Sequence, residues 1–546
     1  MLQAVCSMRL KSPTWDETNF FGLGYYLLNV QKWDVPSSTL HPPLPYYLNS
    51  FPFLFYDMDE TAWDQPYSPK GEEYSNVAIP LAGLKLLTDR RYPQDRLLFW
   101  SRIPTILIAL LLGFYIWKWA SELYGGISAT FALLLFIFCP NILAHSGLIT
   151  PDMLITCFTF ISVYYLWKVV KDGTWSNILL CSLALGCALL SKYTALLLFP
   201  IYFILSIIIL ISHEEIVLPH RFPFSKYLMK NGITARILRW GSLLFVVTMI
   251  ALCVLSLGYM FHFEYYVKGT IYQLIHAEAE EGHPAFLMGM YSSRGWWYYY
   301  LVAFAIKTPL PLLILLLLSF IFYKKHPHRD FMNQTFLLVP VFVYFFFFSV
   351  MPICIGLRYI LPIYPFLFVQ ACMTTDFRYK GWRVFIKILV VVLCFWYIKS
   401  SLGIYPHYLA YFNETVGGPD KGYNYLVDSN LDWGQDLKGL GIYMKNKGIQ
   451  KIHLSYFGTA DPQYYGINYE WMPSFYLPGD HYYRDNRRGD FTFPDSGIVA
   501  ISATNLQNVY FRNKTFYNWL KKYNPIDKIG YSIFIYDLDQ PIESHR

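Results

Sequence analysis

The chain has 546 residues, 55% of them hydrophobic and 15% charged, and a formal net charge of +7. Soluble domains carry roughly 25% charged residues, so a deficit this deep over this length excludes a disordered chain, a nucleic-acid-binding module and an ordinary soluble enzyme. Apolar runs long enough to cross roughly 30 Å of hydrocarbon recur instead, as in a polytopic α-helical membrane protein. The positive charge then bears on orientation and gives no reason to expect a nucleic-acid partner.

Segment 1–96 is a loop rich in Pro, aromatics and carboxylates. Within it, Tyr46 to Tyr56 and Val77 to Leu87 are apolar enough to lie as short helices on the membrane surface. Ten spans follow, at about 98–117, 127–146, 153–170, 177–191, 194–212, 240–260, 297–322, 335–350, 359–375 and 384–403. Residues 97–403 thus form a membrane domain, and 404–546 is long enough to hold its own core. In that tail, Leu426 to Ser429, Asp436 to Asn446 and Ile452 to Phe457 read as strand, helix and strand. Further strands are expected at Ile498 to Ser502 and Ser532 to Tyr536, with a helix near Phe516 to Tyr523, giving a small α/β domain. The tail contains no cysteine, so no disulfide framework holds it.

Lys and Arg crowd alternate connections: Lys118; Lys168 and Lys171; Arg221, Lys226, Lys230, Arg236 and Arg239; Lys324, Lys325 and Arg329; Arg378, Lys380, Arg383 and Lys387. The opposite set is sparse, with Lys192, Lys268, Arg294 and Arg358. Positive charge marks the cytoplasmic side, so 1–96 and 404–546 are both expected on the extracytoplasmic side. Export of the first segment needs a signal, yet Met1 to Arg9 is too short for a signal peptide or a span. The expectation is a helix ahead of Met1, removed by truncation or a late start codon. The alternative is that internal spans alone draw the N-terminus across.

Ionisable residues near membrane spans are costly and are functional candidates by default. Here they gather on the extracytoplasmic face. Asp16 and Glu17 follow Trp15, and His41 opens the run HPPLP. Arg102, in SRIP, caps the outer end of the first span, and Asp152, in LITPD, stands at the outer end of the second. Lys192 joins the fourth and fifth spans, Arg358 begins the ninth in IGLRYILPIYP, and Lys307, in IKTPLP, is nearer mid-membrane. Each has a plainer reading. The acidic pair could start a helix, the cations could be snorkelling anchors, Asp152 could cap the next span and His41 could be a turn residue. Lys307 could bind a lipid headgroup or pair with a neighbouring carboxylate. Cations on this face run against the charge bias, which weakens the anchor reading. No CxxC or Cys/His ligand spacing occurs, so no metal site is assigned.

Taken in order, Asp16–Glu17, His41-Pro42-Pro43-Leu44, Arg102-Ile103-Pro104, Asp152, Lys192, Lys307-Thr308-Pro309, Gly356-Leu357-Arg358-Tyr359 and DSNLDWGQDL over Asp428 to Leu437 resemble a known family. It is that of the polytopic membrane glycosyltransferases of the family 39 type, which include protein O-mannosyltransferases and bacterial aminoarabinose transferases. The later motifs look like the bacterial, lipid-carrier-dependent members. The resemblance implies a C-type glycosyltransferase fold, a helix before the acidic pair, and a place in the bacterial inner membrane. It implies transfer of a mannose-like hexose from a polyprenyl-phosphate-linked donor to a protein or glycolipid hydroxyl on the extracytoplasmic face.

By the same resemblance Asp16 is the base, while Glu17 and Asp152 position substrate or steady oxocarbenium-like charge. Arg102 and Arg358 are matched to the carrier phosphate, with Lys192 and His41 next and Lys307 also in the substrate-binding set. Base and carrier on opposite faces of the sugar would invert the anomeric centre. No cofactor is required in this reading, although Asp428, Asp432 and Asp436 could contact sugar or bind a divalent cation. The tail is otherwise a structural or acceptor-recruiting domain. The loop Phe261 to Trp297, with His262, Glu264, His283 and Arg294, could close over the sugar or form a solvated surface helix. The rival function is a transporter or flippase for a lipid-linked sugar, for which broken helices and mid-membrane charges are expected.

Overall fold

All ten apolar runs are helical in the computed structural model, which describes residues 1–30, 33, 39–55, 93–212, 216–220, 222, 232–278, 282–327, 329–376, 383–474 and 491–540. The expected surface helix Val77 to Leu87, and the basic residues Arg221, Lys226, Lys230, Arg378 and Lys380, lie outside the described residues.

The chain opens with α1 (Leu2–Met8), α2 (Glu17–Val30) and α3 (Leu44–Ser50), the last continued by a 3-10 turn over Phe51–Phe55. The membrane domain begins with α4 (Gln94–Tyr124), α5 (Gly126–Ile137), α6 (Pro140–Ser146), α7 (Asp152–Asp172) and α8 (Trp175–Leu189). Then come α9 (Leu198–Ile211) and α10 (Ile233–Gly258). An outer loop carries α11 (Glu264–Glu278) and the hairpin of β1 (Ala285–Leu287) and β2 (Met290–Ser292). The domain closes with α12 (Tyr299–Lys307), α13 (Leu310–Ile321), α14 (Phe331–Val350), α15 (Tyr364–Ala371) and α16 (Arg383–Gly403). Among the described residues seven helices are long and apolar enough to cross a membrane by themselves. Two further spans are bent pairs, α5 with α6 at 63° and α12 with α13 at 109°, and α8 is a shorter apolar helix.

Proline explains both bends. Pro140 starts α6, and Pro309 with Pro311 interrupts α12–α13, because proline lacks an N–H and clashes with the preceding turn. A break at membrane depth leaves carbonyls that need partners. At the second break Asn413 supplies them: its side-chain Nδ2 donates to the carbonyls of Ala305 (2.6 Å) and Thr308 (2.9 Å), and its backbone N–H to Ile306 (2.8 Å). The tail is thereby tied into the membrane domain just after the last span.

The tail holds α17 (Leu437–Lys447) and a five-stranded sheet of β3 (Ile452–Ser455), β4 (Tyr469–Trp471), β5 (Ile498–Ser502), β6 (Asp527–Ile529) and β7 (Ile533–Asp537). Strand order is β4-β3-β5-β7-β6, parallel across β4-β3-β5 and antiparallel beyond. Leu437, Leu440 and Met444 of α17 pack on Ile452, Leu454, Ile533 and Ile535 of the sheet. Two expected elements differ. Leu426 to Ser429 is no strand, because Asp428 takes a left-handed φ of 56° and opens a 3-10 turn that faces the membrane domain. Phe516 to Tyr523 is helical only as a 3-10 turn over Leu520–Lys522.

Segment 1–55 is more deeply built in than a surface loop. The helix α2, which hydrophobic patterning did not single out, packs so closely on α3 that a Cβ on Gly24 would stand 2.0 Å from Ser50 Oγ. The helix α3 does not merely lie on a membrane surface: Tyr46 is fully buried, and Asn49 Nδ2 donates to the Ser101 carbonyl (2.7 Å) and Thr105 Oγ1 (3.0 Å) of α4. Strand-like pairing ties residues 12–15 to the tail, with Ser12 N–H donating to the Gln435 carbonyl (3.0 Å) and Trp15 N–H to that of Trp433 (2.9 Å). The first segment and the tail therefore sit at one end of the helical domain. At the other end of α7, Lys168 reaches Glu122 (3.6 Å) and Lys171 reaches Asp330 (3.8 Å). With 21 residues, α7 separates the two ends by about 30 Å.

Candidate active site

A cavity of about 350 Å³ lies where the first segment, the ends of the spans and the tail meet. The first segment contributes Trp15, Asp16, Phe20 and His41; the membrane domain and its outer loop contribute Gln273, His283, Arg358 and Tyr359; the tail contributes Asp428, Trp433, Phe457 and Tyr510.

Arg358 is the central charge. It stands second in the 3-10 turn Leu357–Ile363, where Pro362 and Pro365 prevent a regular helix from starting earlier, and Asn430 Oδ1 holds the turn by accepting from Leu357 N–H (2.9 Å). Its Nη1 donates to Asp16 Oδ2 at 2.7 Å and lies 3.9 Å from Asp152 Oδ2. The guanidinium centre is 4.3 Å above the Trp433 ring, a cation–π contact that fixes its plane. Asp152 is fully buried in the first turn of α7, where the helix N-terminus favours a carboxylate, and accepts from Lys192 Nζ at 2.8 Å. Lys192 in turn lies 4.3 Å over the Tyr359 ring. Two cations and two carboxylates thus form one nearly neutral network, in which Asp16 and Arg358 line the cavity and Asp152 and Lys192 stand behind them. Among the described residues Asp152 Oδ2 and Arg358 Nε are buried with no hydrogen-bond partner.

Three other sequence candidates, Glu17, Arg102 and Lys307, lie elsewhere. Glu17 and Arg102 face each other through two hydrogen bonds, Nε to Oε1 (2.8 Å) and Nη2 to Oε2 (2.6 Å), both residues being almost completely buried. Glu17 also accepts from the N–H groups of Thr14 (2.8 Å) and Ile149 (2.9 Å), and Arg102 donates to the carbonyls of Met8 (2.8 Å) and Ser12 (3.0 Å). Neither is among the cavity-lining residues. The pair staples residues 8–17 to α4 and so sets where Asp16 projects. Lys307 is likewise occupied, donating to the carbonyls of Leu409 (2.7 Å) and Asn430 (2.5 Å). Among the described residues it pairs with no carboxylate, and its contacts lock the 109° bend against the tail.

His41 does line the cavity, stacked on Phe20 with ring centroids 5.2 Å apart. Burial, reinforced by the charges of Lys192 and Arg358 and opposed by Asp152, pushes its imidazole down to about 3. It is therefore a neutral hydrogen-bonding group at physiological pH, where the sequence reading grouped it with the cations.

The tail run DSNLDWGQDL proves to be part of the site wall. Asp428 lines the cavity, accepts from Tyr510 Oη and from Ser429 N–H (2.5 Å), and has its carboxyl raised by burial against the opposing effects of Tyr510, His283 and Arg358. Asp432 is fully buried and accepts from Thr504 N–H (2.8 Å); burial, with Asp428 and Asp436 nearby, pushes it up to about 8. Burial would raise Asp436 as well, but Lys11 at 2.5 Å, with His407 behind it, outweighs that and holds it at about 2. The three carboxylates belong to three separate networks. Among the described residues no three His, Cys, Asp or Glu side chains converge as for a metal ion. Phe457 and Tyr510 carry no signal in the sequence beyond their being aromatic, and Trp433 only its place in DSNLDWGQDL, since only folding brings residues so far from Asp16 to its side.

Residues 97–240, which contain Arg102, Asp152 and Lys192, match the model of a family described as dolichyl-phosphate-mannose-protein mannosyltransferase. The resemblance to family 39-type membrane glycosyltransferases read from the ordered motifs is thus met over this segment. No curated protein matches the chain. Among solved structures it is similar to ArnT from Cupriavidus metallidurans bound to undecaprenyl phosphate, at 9% identity over 100% of this chain and 97% of that one, with a TM-score of 0.47. The apo state of ArnT aligns at 11% identity over 98% and 95% of the two chains, TM-score 0.45. An archaeal oligosaccharyltransferase, AglB from Archaeoglobus fulgidus in complex with an inhibitory peptide and a dolichol-phosphate, aligns at 11% identity over 73% of this chain and 55% of that one, TM-score 0.40.

Proposed function

We propose that this protein is a membrane glycosyltransferase that takes a mannose-like hexose from a polyprenyl-phosphate carrier and passes it, with inversion, to an acceptor hydroxyl on the extracytoplasmic face. The observation that carries the reading is the network Asp16–Arg358–Asp152–Lys192, which reaches the cavity through Asp16 and Arg358 and is backed by Asp152 and Lys192. The family match over 97–240 supports the donor class. The crowding of Lys and Arg at the opposite end of the spans supports the face.

The chemistry follows from charge. A glycosyl phosphodiester brings one negative charge to a network whose cations and carboxylates are already balanced. Arg358 and Lys192 turn toward the phosphate, and Asp16 gives up part of its ion pair. Asp16 then accepts the proton of the acceptor hydroxyl as that oxygen attacks the anomeric carbon. The carbon–phosphate-oxygen bond breaks on the opposite face, and the departing phosphate, now more highly charged, is held by the bidentate guanidinium and the lysine in a low-dielectric site. Asp152 keeps Lys192 and Arg358 in place. Glu17 and Arg102 act as positioning residues that hold the turn bearing Asp16. Since two protein cations meet the phosphate, no metal ion is required, and transfer is expected to persist in the presence of a chelator.

Purified protein in proteoliposomes, given a polyprenyl-phosphate hexose, tests the reading. The expected product carries the sugar on a new hydroxyl with the opposite anomeric configuration by NMR. Retention would overturn the inverting step. A label that crosses the bilayer with its phosphate linkage intact would identify a flippase instead.

A further inference from the structure

The cavity has a second end that the chemistry above does not use. Three rings from distant parts of the chain stack there: Trp15 on Phe457 with centroids 5.2 Å apart and planes 19° apart, and Phe457 on Tyr510 at 5.4 Å and 12°. The row starts beside Asp16 and ends at Tyr510, whose hydroxyl donates to Asp428. The His283 ring stands edge-on to Tyr510 at 5.9 Å. All of these residues line the cavity, together with Thr459 and Asn19.

We infer that this end of the cavity is an acceptor site for a pyranose, with Asp428, His283 and Tyr510 recognising its hydroxyls and the Trp15–Phe457–Tyr510 stack packing against its carbon face. The inference rests on the glycosyltransferase reading and names the acceptor class for that same site. A rigid aromatic wall with a few convergent donors and acceptors suits a ligand that is apolar on its faces and hydroxylated round its rim. A carboxylate with two acceptor oxygens, beside a phenol and an imidazole that both donate and accept, matches vicinal hydroxyls. The location fits as well. The donor phosphate is drawn to Arg358 and Lys192, and an acceptor seated on the stack that begins at Trp15 lies next to Asp16, which lines the same cavity. A polypeptide acceptor would gain most from a free strand edge or a run of backbone partners. The edge strands β4 and β6 are not among the cavity-lining residues, and the tail reaches the cavity only through loop side chains.

The test is direct binding to the intact protein in lipid nanodiscs by saturation-transfer NMR, with methyl pyranosides of mannose, glucose and galactose as one probe set and a short Ser/Thr-containing peptide as the other. At least one pyranoside is expected to bind, and its affinity to fall by about tenfold or more in Asp428→Asn, the loss of a charge-assisted hydrogen bond, and by about five- to tenfold in Tyr510→Phe, the loss of a neutral one. Tyr510→Phe keeps the ring stack and so reports on recognition even if Asp428→Asn misfolds. Binding of the peptide alone, of neither probe set, or of pyranosides with equal affinity to wild type and Tyr510→Phe overturns the inference. Undecaprenyl phosphate binding in the same nanodiscs, compared between wild type and Arg358→Gln, reports separately on the donor reading, so failure of one is distinguishable from failure of the other.

Discussion

Arg358 donates to Asp16 at 2.7 Å across 342 residues of chain. One partner comes from the first segment and the other from the start of the ninth span, so the ion pair exists only when both ends of the membrane domain are assembled. On the proposed reading Asp16 is the base, and an anion that competes for the guanidinium releases it. Loss of that carboxylate should be felt in chemistry far more than in assembly. Asp16→Asn is expected to lower the transfer rate by about 10²–10⁴-fold, the range for a positioned general base, while undecaprenyl phosphate still binds. Wild-type turnover in the variant would reassign the base.

Arg358→Lys keeps the charge but loses the planar fork that bridges Asp16 and Asp152 and stacks on Trp433. We expect the donor KM to rise by about tenfold or more and the rate to fall as well. Steady-state kinetics on the purified variant would show both, and unchanged donor kinetics would remove Arg358 from the phosphate site.

Glu17 and Arg102 form a buried pair with nearly every valence used. Removing one partner leaves an uncompensated buried charge, typically about 3–5 kcal/mol. Arg102→Met should therefore lower the thermal midpoint sharply, and pairing it with Glu17→Leu should restore part of the loss. A substrate-contacting role would instead leave the midpoint near wild type and change donor affinity.

Asp432 carries a pH signature. Its carboxyl is pushed up to about 8 in the folded protein, against an unfolded value near 3.8, so the folded state holds a proton that the unfolded state has released across that window. Stability from this group must therefore fall as pH rises from about 4 to 8, by up to about 1.4 kcal/mol per pH unit. Asp432→Asn should flatten the decline, raising the thermal midpoint at pH 8 more than at pH 5. Asp436 has the opposite sign: held at about 2 by Lys11, it contributes stability above about 4 that is lost as pH falls toward 2.

Much of this architecture was legible from apolar run length, because a span must satisfy its backbone internally and bury about 20 residues of side chain whatever its neighbours do. The ten runs are helical, with limits within about seven residues of those expected, and Pro140 and Pro309 sit where two of them bend. Three of the tail strands, at Ile452, Ile498 and Ile533, were readable from short β-branched runs. The stretch at Leu426 was misread for the same reason it matters: its residues serve contacts with the membrane domain, and Asp428 adopts a left-handed turn that no local pattern announces.

The candidate site divides along the same line. Residue type and cost of burial were enough to single out Asp16, Asp152, Lys192 and Arg358, since charge near hydrocarbon demands a partner or a ligand. Those rules could not say which charges face the cavity and which neutralise one another out of its reach. Glu17 is adjacent to Asp16 yet points to Arg102, because successive residues entering a helix project in different directions. Sequence alone therefore determined the class of molecule, its spans, the charge bias between its two sides and a pool of charged candidates, all of them consequences of local solvation. The pairing of that pool, the neutrality of His41, and the enrolment of Trp433, Phe457, Tyr510 and Asp428 in the cavity wall were decided by tertiary structure. Coulomb interaction and desolvation depend on distances between residues hundreds of positions apart, and only the closed fold sets those.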